Sequence, residues 1–393
     1  MNIKCTLIAC CFSIIGSSSV HAATTEDSTK NEVVFKFGGF VKLDMMVTNF
    51  NDGEPGPESP IKDIHLPGSI PVGEDITDYD THMHVKESRF SMDVGSKVLG
   101  KPIHGFVEMD FLLSKAGDER VSNSYNPRLR HFYFEYGKFL FGQTWSTFMI
   151  VTLPDDLDFS GAGEGIVFNR QPQLRFTSGN WQASLENPET TYTPYQGGDF
   201  RTSSGGVPDV TLRRNFRSSR VDLSIAGIMR NPRFYDDQNE RHGVLGFGVT
   251  GGGKIKVGKK DDIRFVATYG NGLGRYVAFQ FVTAAVPDED NDLTTINSYN
   301  GYIAYLHYWN DRFRSSVNGS YFMAENDTEL TGDEVNKTAF SVSANLIYQP
   351  APEFLMGIEM MYGYRELENE VNGDFTRLQL SAKYLFNYDS DRH

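Results

Sequence analysis

The sequence predicts an all-β fold, a transmembrane antiparallel β-barrel of about 16 strands with one loop folded inward. Three observations predict it. Many segments alternate apolar and polar side chains over about ten residues, the length that a tilted membrane strand needs. Short connections between these segments alternate with long ones. Aromatic side chains, 13% of all residues, collect at the segment ends, as in residues 302–309 and 384–388.

The last of these segments shows the alternation most clearly. One face is apolar and the other is polar or charged: Leu378, Leu380, Ala382, Tyr384 and Phe386 against Arg377, Gln379, Ser381 and Lys383. Side chains alternate across a strand, so one row should face lipid and the other water. The pattern recurs in residues 35–47, 107–113, 221–230, 263–269, 340–348 and 356–365. A soluble β-sandwich is the alternative fold, and the strand length and aromatic ends favour the barrel.

The connections have two length classes. Short ones are predicted at residues 215–219, 310–311 and 349–353, and long ones at 51–81, 187–207, 270–295 and 324–336. Short turns on one side and long loops on the other are typical of bacterial outer-membrane barrels. About sixteen strands fit residues 33–386, so we expect a water-filled lumen rather than a packed interior.

Residues 1–22 predict a signal peptide that is cleaved after Ala22. Lys4 supplies the positive charge, an apolar run follows, and residues 20–22 place small or aliphatic side chains near the cleavage point. A lipoprotein cleavage box before Cys10 is the alternative, although the apolar run preceding it is short. All three cysteines lie in this segment, so the mature chain should have no disulfide and no Cys metal site. Residues 23–32 are a short lead, and 387–393 a tail.

Several functional classes are disfavoured. The net charge of -14 argues against a nucleic-acid partner. The glycine run at 251–253 lacks the spacing of a phosphate-binding loop. The acidic run at 288–292 has calcium-like spacing, but Leu293 stands where such a loop needs glycine, so we interpret it as a solvated loop, with a weak cation site as the alternative. We therefore predict no catalytic residues, no cofactor and no metal.

Arginine is frequent on the polar strand face. The candidates are Arg89, Arg128, Arg130, Arg175, Arg213, Arg220, Arg230, Arg264, Arg314, Arg365 and Arg377. An arginine facing lipid near the midplane would cost roughly 2–4 kcal/mol, so these side chains should point into the lumen. They either keep the lumen wet and pair with inward acids such as Glu108 and Asp110, or they form a basic ladder that attracts anions.

One long segment breaks the alternation. Residues 150–169 are acidic and rich in glycine, and they follow a strand that ends near Trp145. A loop folded into the barrel would explain this composition, and a plain extracellular loop is the alternative. The acidic side chains of a constriction loop, facing arginines of the wall, would set a field across a narrow point, which is one way that pores select ions. These acids are Asp155, Asp156, Asp158 and Glu164.

The sequence resembles the DcaP-like porins. The resemblance covers most of the mature chain, and its most specific element is the pair of runs 128–133 (RLRHFY) and 142–148 (GQTWSTF). Residues 39–44 (GFVKLD), 88–90 (SRF), 170–175 (RQPQLR) and 270–276 (GNGLGRY) add to it. It implies a homotrimer of sixteen-stranded barrels, each a diffusion channel for small, often anionic solutes such as dicarboxylates. Arg128, Arg130, Arg170 and Arg175 would line the constriction.

The sequence departs from that family in two respects. Some members carry an N-terminal coiled coil, whereas only residues 23–32 precede the first predicted strand here, so we expect trimerisation through the barrel walls alone. Seven residues also follow Phe386, which we expect to serve as the signal for the barrel-assembly machinery. The prediction is a porin in the bacterial outer membrane, surrounded by lipid and lipopolysaccharide. A barrel lipid hydrolase and a non-conducting structural or adhesin barrel are the alternatives.

Overall fold

The computed structural model describes residues 33–113, 124–204 and 206–390. The chain separates into Met1–Glu32 and Val33–His393, and every described residue belongs to the second unit. The predicted signal peptide and lead therefore lie outside the described residues. Within the described ranges, no helix has the length and apolar character needed to cross a membrane.

Strands dominate the described part of the chain. Their bounds are β1 Val34–Phe50, β2 Asp78–His84, β3 Arg89–Val98, β4 Lys101–Asp110, β5 Arg128–Tyr136, β6 Phe139–Trp145, β7 Arg170–Ser178, β8 Trp181–Glu186, β9 Glu189–Tyr192, β10 Arg201–Ser204, β11 Asp209–Arg217, β12 Val221–Arg230, β13 Arg233–Tyr235, β14 Arg241–Gly243, β15 Gly246–Val257, β16 Asp261–Asn271, β17 Ala285–Pro287, β18 Leu293–Thr295, β19 Asn297–Tyr308, β20 Phe313–Glu325, β21 Asn336–Ala351, β22 Phe354–Leu367 and β23 Asn372–Asp389. Single helical turns occur in the connections at Pro60–Lys62, Pro67–Ser69, Gly274–Tyr276 and α1 Thr328–Thr331.

The main sheet closes into a 16-stranded antiparallel barrel, which confirms the predicted fold. Its seventeen strands make sixteen wall positions because β2 and β3 pair with different halves of β1 and form one wall strand interrupted at residues 85–88. The first strand, β1, pairs with the last, β23, along fifteen positions from Lys36–Asp389 to Phe50–Phe375. Closure pairs the first strand with the last, which is how a sheet in lipid satisfies its outermost backbone groups.

The closing seam confirms the predicted alternation. Leu378 and Leu380 point outward, with 37% and 43% of their surface exposed, whereas Arg377 and Gln379 point into the lumen with 1% and 2%. The boundary predicted after Phe386 is wrong, because β23 continues to Asp389. The first three residues of the expected tail are thus part of the barrel wall, paired with the start of β1.

Short turns join the strands at one end of the barrel and long connections at the other, as predicted. Three long connections matter for the site. We name them L1 (residues 51–77), L3 (146–169) and L6 (272–296). Apolar side chains of L3 and L6 meet the inner wall in the largest apolar cluster of the described residues, which includes Phe148, Val277, Phe281 and Phe322. The packed core is therefore built by loops inside the barrel.

The pairing of β1 with β3, beside the seam, depends on a glycine. Gly39 has φ +151°, and a Cβ there would overlap the backbone carbonyl of Arg89. Gly39→Ala should therefore lower the free energy of unfolding by about 1–3 kcal/mol. The measurement is the temperature at which the folded, faster-migrating gel band is lost. Gly56→Ala is the control, because a Cβ at Gly56 meets no atom within 4 Å; an equal shift in both variants would contradict the prediction.

Candidate functional site: a loop and an arginine cluster inside the barrel

L3 leaves the wall after β6, enters the lumen and returns at β7. Its backbone is held on a distant part of the wall, where the amides of Leu157 and Asp158 donate to the Glu359 carboxylate of β22 at 2.7 and 2.9 Å. Arg264 of β16 donates to the Leu153 carbonyl at 2.7 Å. The inward-folded loop predicted from composition is therefore present.

Two of the four L3 acids contact arginines of the wall. Asp155 pairs with Arg314 of β20. Asp158 lies 3.5 Å from the Arg377 guanidinium of β23 and accepts the backbone amide of His65 in L1 at 3.0 Å. Because Asp158 touches both the wall and L1, it ties the two loops together.

Within the described ranges, the other two acids, Asp156 and Glu164, do not pair with arginines. The Asp156 carboxylate accepts from the Asn318 amide at 2.5 Å. Glu164 accepts from the Ser320 and Ser341 hydroxyls, the latter at 2.7 Å, and lies 2.6 Å from the His65 imidazole. Neutral donors of β20 and β21 and one histidine of L1 satisfy these acids, so they use no arginine of the wall.

The pKa values of the buried acids of L3 shift in different directions. Burial, and then the neighbouring carboxylates of Glu359, Asp158 and Asp155, raises the pKa of Asp156 well above its usual range. Burial also opposes ionisation of Asp158, but Arg377, His65 and the Ser160 donors outweigh it and lower the pKa of Asp158. The same balance, with His65, Ser320 and Ser341 as partners, lowers the pKa of Glu164.

A cluster of arginines occupies the wall from β3 to β11. Arg128 donates to both oxygens of Asp110 at 2.8 Å. Arg130 donates to Glu108 at 2.7 Å and to Asp110 at 2.8 Å. Arg89 lies 3.7 Å from Glu108 and 5.1 Å above the Phe40 ring. Three arginines thus share two acids.

The remaining arginines of the predicted set have neutral partners or none. Arg175 donates to the Gln173 side chain at 3.1 Å, and Arg213 to Asn215 at 2.8 Å. Arg170 stacks on Trp145 and Phe168, at 4.7 and 5.4 Å from the ring centres. Within the described ranges, no carboxylate lies within 4.0 Å of these three guanidinium groups. Among the described residues, the cluster of Arg89, Arg128, Arg130, Arg170, Arg175 and Arg213 therefore has two acid partners for six arginines.

Arg220, the seventh predicted arginine, does not belong to this cluster. It lies in the turn between β11 and β12 and is exposed. The predicted turn at 215–219 ends one residue too early, because β11 continues to Arg217 and β12 begins only at Val221. That shift moves Arg220 out of the strand and away from the lumen face.

A cavity of about 470 Å³ lies between L3 and part of the arginine cluster, and beside it the Phe159 ring of L3 lies 5.3 Å from the Arg130 guanidinium. The wall contributes Arg89, Arg130, His131 and Trp145 to its lining, and L3 contributes Asp156 and Phe159, among others. In a 16-stranded barrel, strands eight positions apart face each other, so β5 to β7 lie opposite β19 to β21. Asp155, Asp156 and Glu164 therefore contact strands on the side of the lumen opposite β5 to β7, whereas Asp158 contacts β23, next to β1.

Two acidic groups lie in other long connections. Asp288 accepts the backbone amides of Asp290 and Asp292, each at 2.9 Å, which closes the turn between β17 and β18 as a solvated loop would. Asp236 accepts the Glu240 amide at 2.7 Å and contacts His242 at 3.0 Å in the hairpin of β13 and β14. These contacts account for both groups as loop stabilisers.

Comparison with known proteins identifies the family to which this barrel belongs. A family model described as the DcaP outer membrane protein matches residues 19–386. The chain belongs to the DcaP outer membrane protein family. As a member of this family it is an outer-membrane channel protein. No curated protein matches the chain significantly.

Solved structures share the fold of this DcaP family member. The outer membrane channel DcaP of Acinetobacter baumannii is 21% identical with a TM-score of 0.72, covering 93% of this chain and 100% of its own. An anion-selective porin from Comamonas acidovorans is 9% identical with a TM-score of 0.56, covering 90% and 100%. The trimer form of OmpT from Vibrio cholerae is 13% identical with a TM-score of 0.52, covering 91% and 100%. At these identities the likeness concerns the fold alone.

The sequence analysis missed the residues with which other elements hold L3. His65 of L1 and Tyr276 of L6 lie in segments predicted only as long loops. His65 contacts Asp158 and Glu164, and the Tyr276 carbonyl accepts the Phe168 amide at 2.9 Å. Neither contact has a local sequence signal, because the partners are separated by about a hundred residues.

The opposite pKa shifts of Asp156 and Asp158 predict opposite effects of removing each charge. The pKa of Asp156 is higher in the folded protein than in the unfolded chain. Its contribution to stability is therefore complete below the pKa of the unfolded chain and is lost as the pH rises through the pKa of the folded protein. The pKa of Asp158 is lower in the folded protein than in the unfolded chain. Its contribution to stability is therefore present above the pKa of the unfolded chain and is lost as the pH falls through the pKa of the folded protein.

At about pH 8, Asp156→Asn should therefore match or exceed the thermal stability of the wild type, whereas Asp158→Asn should lose about 1–3 kcal/mol. Both differences should shrink as the pH falls from 8 toward about 2, and the Asp158 difference persists until the pH passes through its lowered folded pKa. Thermal unfolding of the detergent-solubilised protein across this pH range measures them. Equal destabilisation by both variants at pH 8 would show that L3 is not held as described.

Proposed function

We propose that this protein is a passive porin through which small hydrophilic anions, dicarboxylate-like in chemistry, diffuse across the outer membrane. The observation that carries the proposal is the charge imbalance at the cavity. Among the described residues, the six arginines of the cluster have two acid partners, while the acids of L3 are bound to β20, β21, β23 and L1. Arg89 and Arg130 line the cavity, and Arg170 stacks on Trp145 and Phe168, two rings of its lining, so the excess positive charge borders the cavity.

Electrostatics at a narrow point supports anion preference. Two unit charges 4 Å apart interact by about 4 kcal/mol at the effective dielectric constant typical near a protein surface, against about 1 kcal/mol in bulk water. A passing anion thus gains more from the cluster than it would in a wide aqueous pore. Guanidinium groups also fit carboxylates with two parallel hydrogen bonds, so neighbouring arginines suit a solute with two carboxylates.

L3 supplies the second half of the proposed selectivity. Asp156 and Asp158 line the same cavity as Arg89 and Arg130. We propose that the separation of these acids from the arginines across the cavity sets a transverse electric field. This field orients a dipolar solute as it passes. The field is weakened to the extent that Asp156 is protonated, because burial among carboxylates raises its pKa.

The proposal includes the setting of the channel. After cleavage behind Ala22, the chain is inserted by the barrel-assembly machinery with Phe386 as the signal, and its outward apolar rows contact lipid and lipopolysaccharide. The functional unit is a homotrimer joined through barrel walls. The similar fold of the OmpT trimer form supports such an assembly, and chemical cross-linking of the purified protein in mild detergent tests it.

Reversal potentials in a planar bilayer test the function. Under a KCl gradient, the wild-type channel should show stepwise conductance and pass anions in preference to cations. Arg170→Gln should reduce the ratio of anion to cation permeability by about two- to tenfold, because it removes a charge without freeing an acid. Arg220→Gln is the control, since Arg220 lies exposed in a turn, and should leave the ratio unchanged.

Three outcomes would count against the proposal. Absence of conductance steps would refute the porin and favour a non-conducting barrel. Cation preference of the wild type would refute the selectivity. Equal effects of the Arg170 and Arg220 substitutions would place the selective charge outside the cluster.

A further inference from the structure

L6 contains an unusual stretch of backbone beside the candidate site. Ala278, Phe279 and Gln280 have φ angles of +47°, +55° and +65°. Left-handed residues are ordinarily single and are mostly glycine or asparagine, because a side chain crowds the following carbonyl. Three in succession persist only where the surroundings hold them, and such strain is found at functional positions.

Backbone hydrogen bonds to L3 hold this left-handed turn. The Phe168 amide donates to the Tyr276 carbonyl at 2.9 Å, and the Ala278 amide donates to the Ile166 carbonyl at 3.0 Å. Val167 and Val277 form the β-bridge between these bonds. L6 therefore runs antiparallel to the arm of L3 that returns to β7, and the turn begins where this short ladder ends.

The turn changes the direction in which consecutive side chains point. Ala278 is buried, whereas Phe279 is only half-buried. The Phe279 ring lies 4.5 Å from the Phe168 ring of L3. Phe168 in turn lies 5.0 Å from Trp145. The three rings form one aromatic column. Trp145 of β6 and Phe168 of L3 are two of its members, and Phe279 of L6 is the third.

The other end of this column carries Arg170. Its guanidinium lies over Trp145 and Phe168, and one of its terminal nitrogens is buried without a hydrogen-bond partner in the described part of the chain. Because no carboxylate within the described ranges lies within 4.0 Å to orient this guanidinium, the two rings are the main contacts that fix its direction. A displaced Phe168 would let Arg170 turn away from the cavity.

We infer that Phe279 is a positioning residue for the anion path, and that the strained turn of L6 exists to present it. Phe279 holds Phe168, and Phe168 with Trp145 aims Arg170. The inference rests on the proposed function, because it assigns a role in selectivity. It adds that a loop outside the constriction determines how strongly the constriction prefers anions.

Bilayer reversal potentials of matched variants test the inference. Phe279→Leu removes the ring that contacts Phe168. Phe281→Leu is the control, because the Phe281 ring packs on Phe322 of the wall at 5.0 Å. Phe279→Leu should lower the anion-to-cation permeability ratio by about two- to fivefold, the loss expected when a cation is no longer held over an aromatic face. Phe281→Leu should keep the wild-type ratio.

A double-mutant cycle separates positioning from general destabilisation. If Phe279 acts through Arg170, then adding Arg170→Gln to Phe279→Leu should change the ratio little beyond either single variant. Full additivity of the two effects, or an unchanged ratio in Phe279→Leu, would overturn the inference while the wild type still prefers anions. A wild-type channel without anion preference would overturn the proposed function, and this inference with it.

Discussion

A carboxylate that is buried in a protein loses its contact with water and needs hydrogen-bond donors close by. The charge distribution of this lumen depends on which donors the acids of L3 contact. Asp155 and Asp158 use arginines of β20 and β23, and Glu164 uses Ser320, Ser341 and His65. These groups belong to β20, β21, β23 and L1. Among the described residues, the arginines of β3 to β7 are therefore left with Glu108 and Asp110 as acid partners, and Arg89 and Arg130 line the cavity.

The barrel makes this separation of charge possible. Closure of the sheet between β1 and β23 satisfies the backbone of the wall, so every second side chain is free to line the lumen. A segment that enters such a lumen must satisfy its own backbone. L3 does so with Glu359, Arg264 and the carbonyl of Tyr276. L1 and L6 then fill the space behind L3, which fixes the face that it presents to the arginines.

Much of the fold could be predicted because it depends on local patterns. The two-residue period placed Arg377 in the lumen and Leu380 on the outside, and the acidic, glycine-rich composition indicated that L3 is not an ordinary turn. Strand ends were less certain, since one extra residue in a turn separates Arg220 from the lumen arginines. The partners of Asp156 and Glu164 could not be predicted, because they lie about 100 to 180 residues away in the chain. The left-handed turn at 278–280 contains no glycine, so sequence gives no sign of it.

Locking L3 in place tests the central claim, that the conducting state has L3 bound to the far wall. A Cβ at Gly357 of β22 would lie 3.0 Å from the Leu157 side chain of L3, so Leu157→Cys with Gly357→Cys places two thiols within bonding reach. The three native cysteines all lie within residues 1–22, the predicted signal peptide. Single-channel conductance and reversal potential are recorded for the oxidised and reduced protein. We predict ready disulfide formation with both quantities unchanged. A clear change in conductance on oxidation would contradict the account, because L3 would then have to leave the wall for the channel to conduct.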